Sequence, residues 1–270
     1  MNLFVKTKSV IKKYIILIKI LVILLPAAIV TFSSLVYLLN YDTRTKIIKF
    51  YKRQISFKEP IAISQESDSY WANEILKGGY ILHFRHTERE KWQDIYMYDA
   101  LESDVHQNGK NNSRYAENDY FEKAVCLNSR GKIQAKAIGE NLKNFGVPIG
   151  HVASSVSCRT RQTADLAFGG YDSQHRILVH GGPYTENEEK RIKLLTEFYK
   201  NLPKDKSKNT IVSAHNQVIN CKMFVNEKNC PTKLTLEEGG FYIISNTNQE
   251  LRFEYEFDTF SHFMKNFYLR

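Results

Sequence analysis

The sequence predicts an α/β domain with a mainly parallel sheet and helices on both faces, preceded by one N-terminal transmembrane helix. From Gly78 onward, short apolar runs alternate with longer segments of helical periodicity. Parallel strands need crossover connections, which helices usually supply, so this alternation favours a mostly parallel sheet. Upstream, residues 20–39 form an apolar run long enough to cross a bilayer.

The predicted elements follow one another in a regular order. In the first helix, Ile133, Ala137, Ile138 and Leu142 recur at helical spacing, and Gly146 ends it. Strands are predicted at residues 80–84, 151–156, 176–180, 209–215, 240–245 and 251–257. Helices are predicted at 129–146, 159–168 and 185–202, with a short one from Gln217. The polar segment between Glu88 and Lys123 is too long for a plain connection and suggests a cap or substrate loop.

The positive charge of the chain is concentrated near its N-terminus. Residues 1–58 contain eleven of the 38 Lys and Arg residues but only Asp42 of the 29 acidic residues. The rest of the chain is close to neutral, whereas a nucleic-acid-binding domain needs clustered positive charge on its folded surface. Nucleic acid is therefore not an expected partner.

The basic segment and the apolar run predict a membrane anchor. Twenty helical residues span about 30 Å, the thickness of the hydrocarbon core. A cleavable signal peptide is the alternative, because "PAA" follows a short apolar region, but the apolar residues continue well beyond it. Basic residues on both sides of the span leave its orientation open. We expect a basic tail and anchor at 1–41 (membrane contact through 15–39), a juxtamembrane linker at 42–75 and the folded domain at 76–270.

The four cysteines contain no C-x-x-C pair, so a structural zinc site is not expected. If the domain faces an oxidising compartment, we expect a disulfide that involves Cys158, with Cys126 as its partner. Cys221 with Cys230 is an equally simple pairing.

Three of the predicted strands end in, or lead directly to, an arginine or a histidine. The first ends in Arg85 and His86, the second leads through Ser155 to Arg159, and the fourth ends in His215. In an open α/β sheet the ligand crevice lies outside the carboxyl ends of the strands. Two histidines and two arginines should therefore gather at one rim, as an anion-binding site with a reactive imidazole requires.

The same residues carry a resemblance to a known family. "FRHTE", "SSVSCRTRQTA" and "VSAHN", with "CLNSRGKIQAKAIGENLKNFGVPIGHV", resemble the motifs of the histidine phosphatase superfamily, which has the phosphoglycerate-mutase-like fold. The resemblance covers residues 78–245 in the right order and looks closest to a bacterial exported branch. It implies a metal-independent, cofactor-free phosphatase whose domain lies outside the cytoplasmic membrane.

The resemblance also implies residue roles. His86 would be the nucleophile that forms a phosphohistidine, and Arg85, Arg159 and His215 would bind the phosphoryl oxygens. Thr87 stands where the family has glycine and would crowd the phosphate or lend it a hydroxyl. Asn216 replaces a second glycine, and we expect it to preserve the turn because asparagine tolerates positive φ.

The proton donor for the leaving group is expected near residues 185–189. Thr185 and Glu188 have the spacing of a capping box, which explains Glu188 as part of the helix start. Glu189 would then lie within the helix, which leaves Glu186 as the predicted donor and Glu88 in reserve.

The predicted activity is the hydrolysis of a phosphomonoester, whether a sugar phosphate, a lipid-linked phosphate or a phosphoprotein. A phosphotransferase or mutase of the same fold is one alternative, and a non-catalytic module that binds phosphorylated ligands is another.

Overall fold

A computed structural model describes residues 61–90, 125–179, 187–231 and 234–268. Within these residues the strands are β1 (Ile81–Arg85), β2 (Ile149–Ser155), β3 (Ser173–His175), β4 (Asn209–Ala214), β5 (Phe241–Thr247) and β6 (Glu250–Phe257). The helices are α1 (Ile61–Glu74), α2 (Ser129–Asn144), α3 (Cys158–Phe168), α4 (Glu188–Lys200) and α5 (Phe260–Tyr268). Short 3-10 helices lie at Arg176–Leu178, Cys221–Met223 and Glu227–Asn229.

The strands form one sheet in the order β3-β2-β4-β1-β5-β6. Strands β3, β2, β4 and β1 are mutually parallel, whereas β5 is antiparallel to β1 and β6 is antiparallel to β5. The prediction of a mainly parallel sheet is confirmed. The carboxyl ends of β1, β2 and β4, which are neighbours in the sheet, therefore meet at one edge.

Each face of the sheet is covered by its own hydrophobic core, because side chains alternate between the faces of a strand. On one face, Leu82 and Phe84 pack with residues of α2, α3 and α5. On the other face, Ile81 and Val212 pack with residues of α4. Helices therefore lie on both faces, as predicted.

Helix α1 packs against this domain. Ala72 and Ile75 are buried in the core beneath α2 and α5. Asp68 accepts a hydrogen bond from the hydroxyl of Tyr255, and its other oxygen lies 2.7 Å from Nε2 of His262. The compact unit extends from Ala62, so the boundary predicted at residues 75–76 falls inside it. Residues 1–60, which include the predicted anchor and most of the predicted linker, lie outside the described residues.

Two predicted elements are wrong. The apolar run at residues 176–180 predicts a strand, but the strand is the polar segment Ser173–His175, which pairs with β2 through its backbone. The apolar Leu178 instead fills the core from a 3-10 helix. No helix begins at Gln217, because this residue adopts a positive φ of 65°, which a right-handed helix does not allow. Helix α5 was not predicted.

In the part of the chain that the structure describes, no helix combines the length and the apolarity that a membrane span needs.

All four cysteines are paired. Cys126 bonds to Cys158 and Cys221 bonds to Cys230. The first bridge is the predicted one, and the second is the pairing that the sequence left as an equal option.

Candidate active site

The carboxyl edge of the sheet brings together the residues that the strand ends predicted. Arg85 is the last residue of β1, with His86 directly after it, and His215 directly follows β4. Arg159 lies in the first turn of α3, a few residues beyond β2. His86, Arg159 and His215 are all buried. Two imidazoles and two guanidinium groups therefore share one edge.

The hydrogen bond of His86 determines which ring nitrogen can react. Its Nδ1 lies 2.8 Å from the carbonyl oxygen of Thr87. A carbonyl only accepts hydrogen bonds, so Nδ1 carries the proton and Nε2 of the neutral ring keeps a lone pair. Burial lowers the pKa of His86 well below its ordinary value, and the positive charges of Arg159 and Arg85 lower it further. His86 is therefore a neutral imidazole with a nucleophilic Nε2 at neutral pH.

The guanidinium of Arg85 is positioned by the segment that precedes β5. Its Nη1 donates to the carbonyl oxygen of Leu236 at 2.5 Å, and its Nη2 lies 3.5 Å from Oε1 of Glu238. Burial lowers the pKa of Arg85, and the neighbouring Glu238 carboxylate raises it. Arginine nevertheless stays charged in proteins, so Arg85 contributes a fixed positive charge beside His86.

Arg159 is held at the N-terminus of α3. Cys158, the residue before it, is covalently bonded to Cys126. The next turn is tied to the same segment because Oε1 of Gln162 accepts from the amide of Leu127 at 2.9 Å. Arg159 itself is fully buried, and a buried cation at a helix N-terminus is suited to bind an anion.

His215 lies against His86 and Ser155. The ring centroids of the two histidines are 5.4 Å apart in an edge-to-face arrangement. Nε2 of His215 lies 3.3 Å from Oγ of Ser155 at the end of β2. The imidazole of His215 therefore lies directly beside that of His86.

Thr87, a predicted phosphate contact, forms hydrogen bonds to α2 and α3. Its hydroxyl lies 2.9 Å from the carbonyl oxygen of Gly131 and 3.3 Å from Oγ1 of Thr163. Its amide donates to that same Oγ1 at 3.1 Å. Thr163 donates its own proton to the carbonyl oxygen of Arg159, so the Thr87 hydroxyl proton goes to Gly131 or Thr163. These bonds dock the residue after His86 on α2 and α3.

The loop after β1 is docked on α2 by direct backbone contact. A Cβ at Gly131 would lie 1.9 Å from the carbonyl oxygen of Glu88, so only glycine permits this approach. Oε1 of Gln134 accepts from the amide of Glu88 at 3.1 Å, and its Nε2 donates to the carbonyl oxygen of Glu238 at 2.7 Å. The glycine and glutamine of the "LNSRGKIQA" motif therefore join two loops of the site.

The side chain of Asn216 forms two hydrogen bonds to the backbone of Leu236. Asn216 does not adopt the positive φ that was expected of it. Its side-chain nitrogen donates to the carbonyl oxygen of Leu236 at 2.9 Å, and its oxygen accepts from the Leu236 amide at 3.0 Å. The positive φ falls on Gln217. Asn216 thus fixes the segment that holds Arg85.

The structure constrains the candidate proton donors. Glu186 lies outside the described residues. Glu88 accepts from Asn128 at 3.0 Å and pairs with Arg130 at 2.5 Å. Glu188 begins α4, but the N-cap is Asn187, so the capping box predicted with Thr185 is wrong. Glu188 and Glu189 are both exposed in the first turn of that helix.

The sequence reasoning missed Glu238 and the glycine after it. Glu238 is the carboxylate beside Arg85, and the amide of Gly239 donates to the carbonyl oxygens of Arg85 and His86 at 3.2 and 3.3 Å. The available signal was "EEGG" immediately before a strand, since paired glycines often mark a close backbone approach.

Comparisons with known proteins agree with the motifs. Residues 114–179 match the family model of the histidine phosphatase superfamily (branch 1), a stretch that includes Arg159 but neither His86 nor His215. This match covers less than half of the chain and supports that superfamily.

Solved structures also match. The protein histidine phosphatase SixA complexed with tungstate is 13% identical, over 66% of this chain and 95% of that one, with a TM-score of 0.42. YhfR from Bacillus stearothermophilus is 14% identical, over 68% of this chain and 98% of that one, with a TM-score of 0.39. No curated protein sequence matches the chain.

Proposed function

We propose that this chain is a metal-independent phosphatase that hydrolyses a phosphomonoester through a phosphohistidine on His86. The observation that carries the proposal is the 2.8 Å hydrogen bond from Nδ1 of His86 to the carbonyl oxygen of Thr87. This hydrogen bond leaves Nε2 unprotonated, with a lone pair, in a buried site that also contains Arg85, Arg159 and His215. A nucleophile surrounded by cations suits attack on a phosphoryl group.

The reaction would take place in two steps. Nε2 of His86 forms a bond to phosphorus while the bond from phosphorus to the ester oxygen breaks, and an acid protonates the leaving alcohol. Arg85, Arg159 and His215 donate to the three phosphoryl oxygens as charge spreads over them. Water then attacks the phosphohistidine, which releases inorganic phosphate and restores the imidazole. Glu186 is the proposed acid in the first step.

The proposal is tested by assaying the full-length chain in detergent with an aryl phosphate in the presence of EDTA. We expect turnover, and we expect His86→Ala to abolish it while the domain stays folded, since His86 lies beyond the end of β1. After a brief reaction with ³²P-labelled substrate, label on the protein should survive an alkaline quench and be lost in acid, because the P–N bond is acid-labile. Near-normal activity of His86→Ala, or loss of activity in EDTA, would contradict the mechanism.

The same assay separates the alternatives. A non-catalytic module would bind inorganic phosphate but release none from the ester. A phosphotransferase or mutase would transfer the phosphoryl group to an added alcohol in preference to water.

We further propose that residues 20–39 anchor the chain in a membrane and that the domain lies outside the cytoplasmic membrane. The length and apolarity of this run support the anchor. Two disulfides in the domain support an oxidising compartment, since such bridges are rare where thiols are kept reduced. The substrate would then be a phosphorylated small molecule, lipid or protein that is accessible from that compartment.

A further inference from the structure

The core beneath the site contains a third buried histidine. His83 lies on β1, two residues before Arg85 and on the same face of the sheet, and it is completely buried. Its Nδ1 lies 2.7 Å from the hydroxyl of Tyr199 on α4, and its Nε2 lies 3.1 Å from the carbonyl oxygen of His215. Its ring stacks on Tyr242 with centroids 5.8 Å apart.

The direction of these hydrogen bonds follows from their partners. The carbonyl oxygen of His215 can only accept, so Nε2 of His83 carries the ring proton. Nδ1 of the neutral ring must then accept, and the Tyr199 hydroxyl donates to it. One chain of donors therefore runs from Tyr199 through His83 to the backbone of His215.

The carbonyl of His215 lies just beyond the end of β4. Strand β4 ends at Ala214, whose carbonyl oxygen accepts from the amide of His86 at 3.0 Å. The chain then turns, with Gln217 at a φ of 65°. The bond from His83 holds the peptide plane between His215 and Asn216, which adjoins the Cα that carries the imidazole of His215.

We propose that His83 is a positioning residue, which holds the imidazole of His215 in place for transition-state stabilisation through the backbone carbonyl of that residue. Tyr199 contributes by donating to Nδ1 of His83, which favours the tautomer whose Nε2 can donate to the His215 carbonyl. The inference rests on the proposed phosphatase function, in which His215 donates to the transferred phosphoryl group. A small misplacement of a reactive group can cost on the order of 100-fold in rate.

The test compares four variants of the full-length chain in the aryl phosphate assay. His83→Leu removes the donor, whereas His83→Gln retains a donor and an acceptor on a chain of similar reach. Tyr199→Phe keeps the ring and removes only the hydroxyl. Ile81→Ala, on the same strand and the same face, is the control that loosens this core without touching His215.

We expect kcat to fall about 10- to 100-fold in His83→Leu with little change in KM, and to recover at least in part in His83→Gln. Tyr199→Phe should lower kcat a few-fold. Ile81→Ala should lower the melting temperature and leave kcat unchanged. Equal kcat in wild type, His83→Leu and Tyr199→Phe would overturn the inference. So would equal losses in His83→Leu and His83→Gln, since a purely structural role would not distinguish them. Should His83→Leu fail to fold, an unchanged kcat in Tyr199→Phe decides against it.

Binding of inorganic phosphate, measured by calorimetry on the same variants, separates this inference from the proposed function. A wild type that binds phosphate but turns over no ester contradicts the phosphatase. In that case weaker phosphate binding by His83→Leu than by His83→Gln still supports the positioning of His215, and equal binding refutes it.

Discussion

Cys158 is bonded to Cys126, and the residue that follows it in α3 is the fully buried Arg159. A covalent link therefore lies one residue away from a guanidinium that should bind the transferred phosphoryl group. The link spans 32 residues, whereas Cys221–Cys230 spans nine and lies in the segment after β4. The two bridges give a matched pair for separating stability from activity.

Removal of the first bridge should impair both stability and catalysis. In the chain-entropy estimate, Cys126→Ser with Cys158→Ser loses about 4 kcal/mol, and Cys221→Ser with Cys230→Ser loses about 3 kcal/mol. Only the first pair frees the N-terminus of α3, so we expect a drop in kcat for that pair alone. Equal kcat values for the two double variants, measured well below their melting temperatures, would refute a positioning role for the bridge.

The substitution Arg159→Ala should greatly reduce kcat. Loss of a preorganised donor to the transition state typically costs on the order of 100-fold or more in kcat, and Arg159→Lys should recover only part of it because a lysine is a point charge without the planar fork. Arg130→Ala is the control, because this arginine is exposed and pairs with Glu88. Steady-state kinetics with an aryl phosphate provide the measurement, and a similar small effect of both alanine variants would contradict the proposed role of Arg159.

The stability of the domain should fall in mild acid because of its buried histidines. Burial lowers the pKa of His83 from 6.5 to about 4, so below pH 6.5 the unfolded chain binds a proton that the folded chain does not. The stability from this residue is complete above pH 6.5 and is lost as the pH falls to about 4. The loss is about 1.4 kcal/mol per pH unit, or about 3 kcal/mol in total.

Urea unfolding from pH 7.5 to pH 4 measures this dependence, with His83→Gln as the comparison. The difference in unfolding free energy between the two proteins should shrink or reverse in acid as the wild type loses its contribution. Parallel curves for the two proteins would show that His83 does not titrate as its burial implies. His86, whose pKa is lowered in the same direction, adds a similar dependence to both proteins.

The proposed membrane topology needs a direct test, because basic residues on both sides of the apolar run leave its orientation open. We expect residues 60–270 to lie on the far side of the membrane from Lys6 and Lys13. Protease added to intact spheroplasts should digest the domain, and a cytoplasmic marker protein should remain intact. Complete protection of the domain until the membrane is lysed would place it on the other side.

The site could be predicted from the sequence where local pattern and sheet geometry agree. Arg85, His86 and His215 follow apolar runs that form strands, and the carboxyl ends of neighbouring parallel strands meet at one edge. Glu238 could not be placed in this way, because its approach to Arg85 depends on an antiparallel pairing between strands that are distant in sequence. Strand β3 was missed for a similar reason, since its polar side chains form a strand only through pairing with β2.

His83 shows a different limit on what the sequence can predict. In sequence it is one polar residue within an apolar strand, where a partner on α4 and a partner after β4 cannot be inferred from spacing. The hydrogen bonds of Thr87 could not be inferred from the sequence for the converse reason. Its neighbours in the chain suggested an anion, while its actual partners, Gly131 and Thr163, come from two helices.

The backbone contact between Gly131 and Glu88 limits how this site can evolve. Even the smallest side chain at position 131 would collide with a main-chain oxygen, which cannot rotate out of the way as a side chain would. Relief would require α2 to move away from the loop that carries His86. Gly146, by contrast, has open space around it despite its positive φ, so an asparagine could replace it at modest cost. In a randomised library selected for turnover, only the first of these two glycines should be irreplaceable.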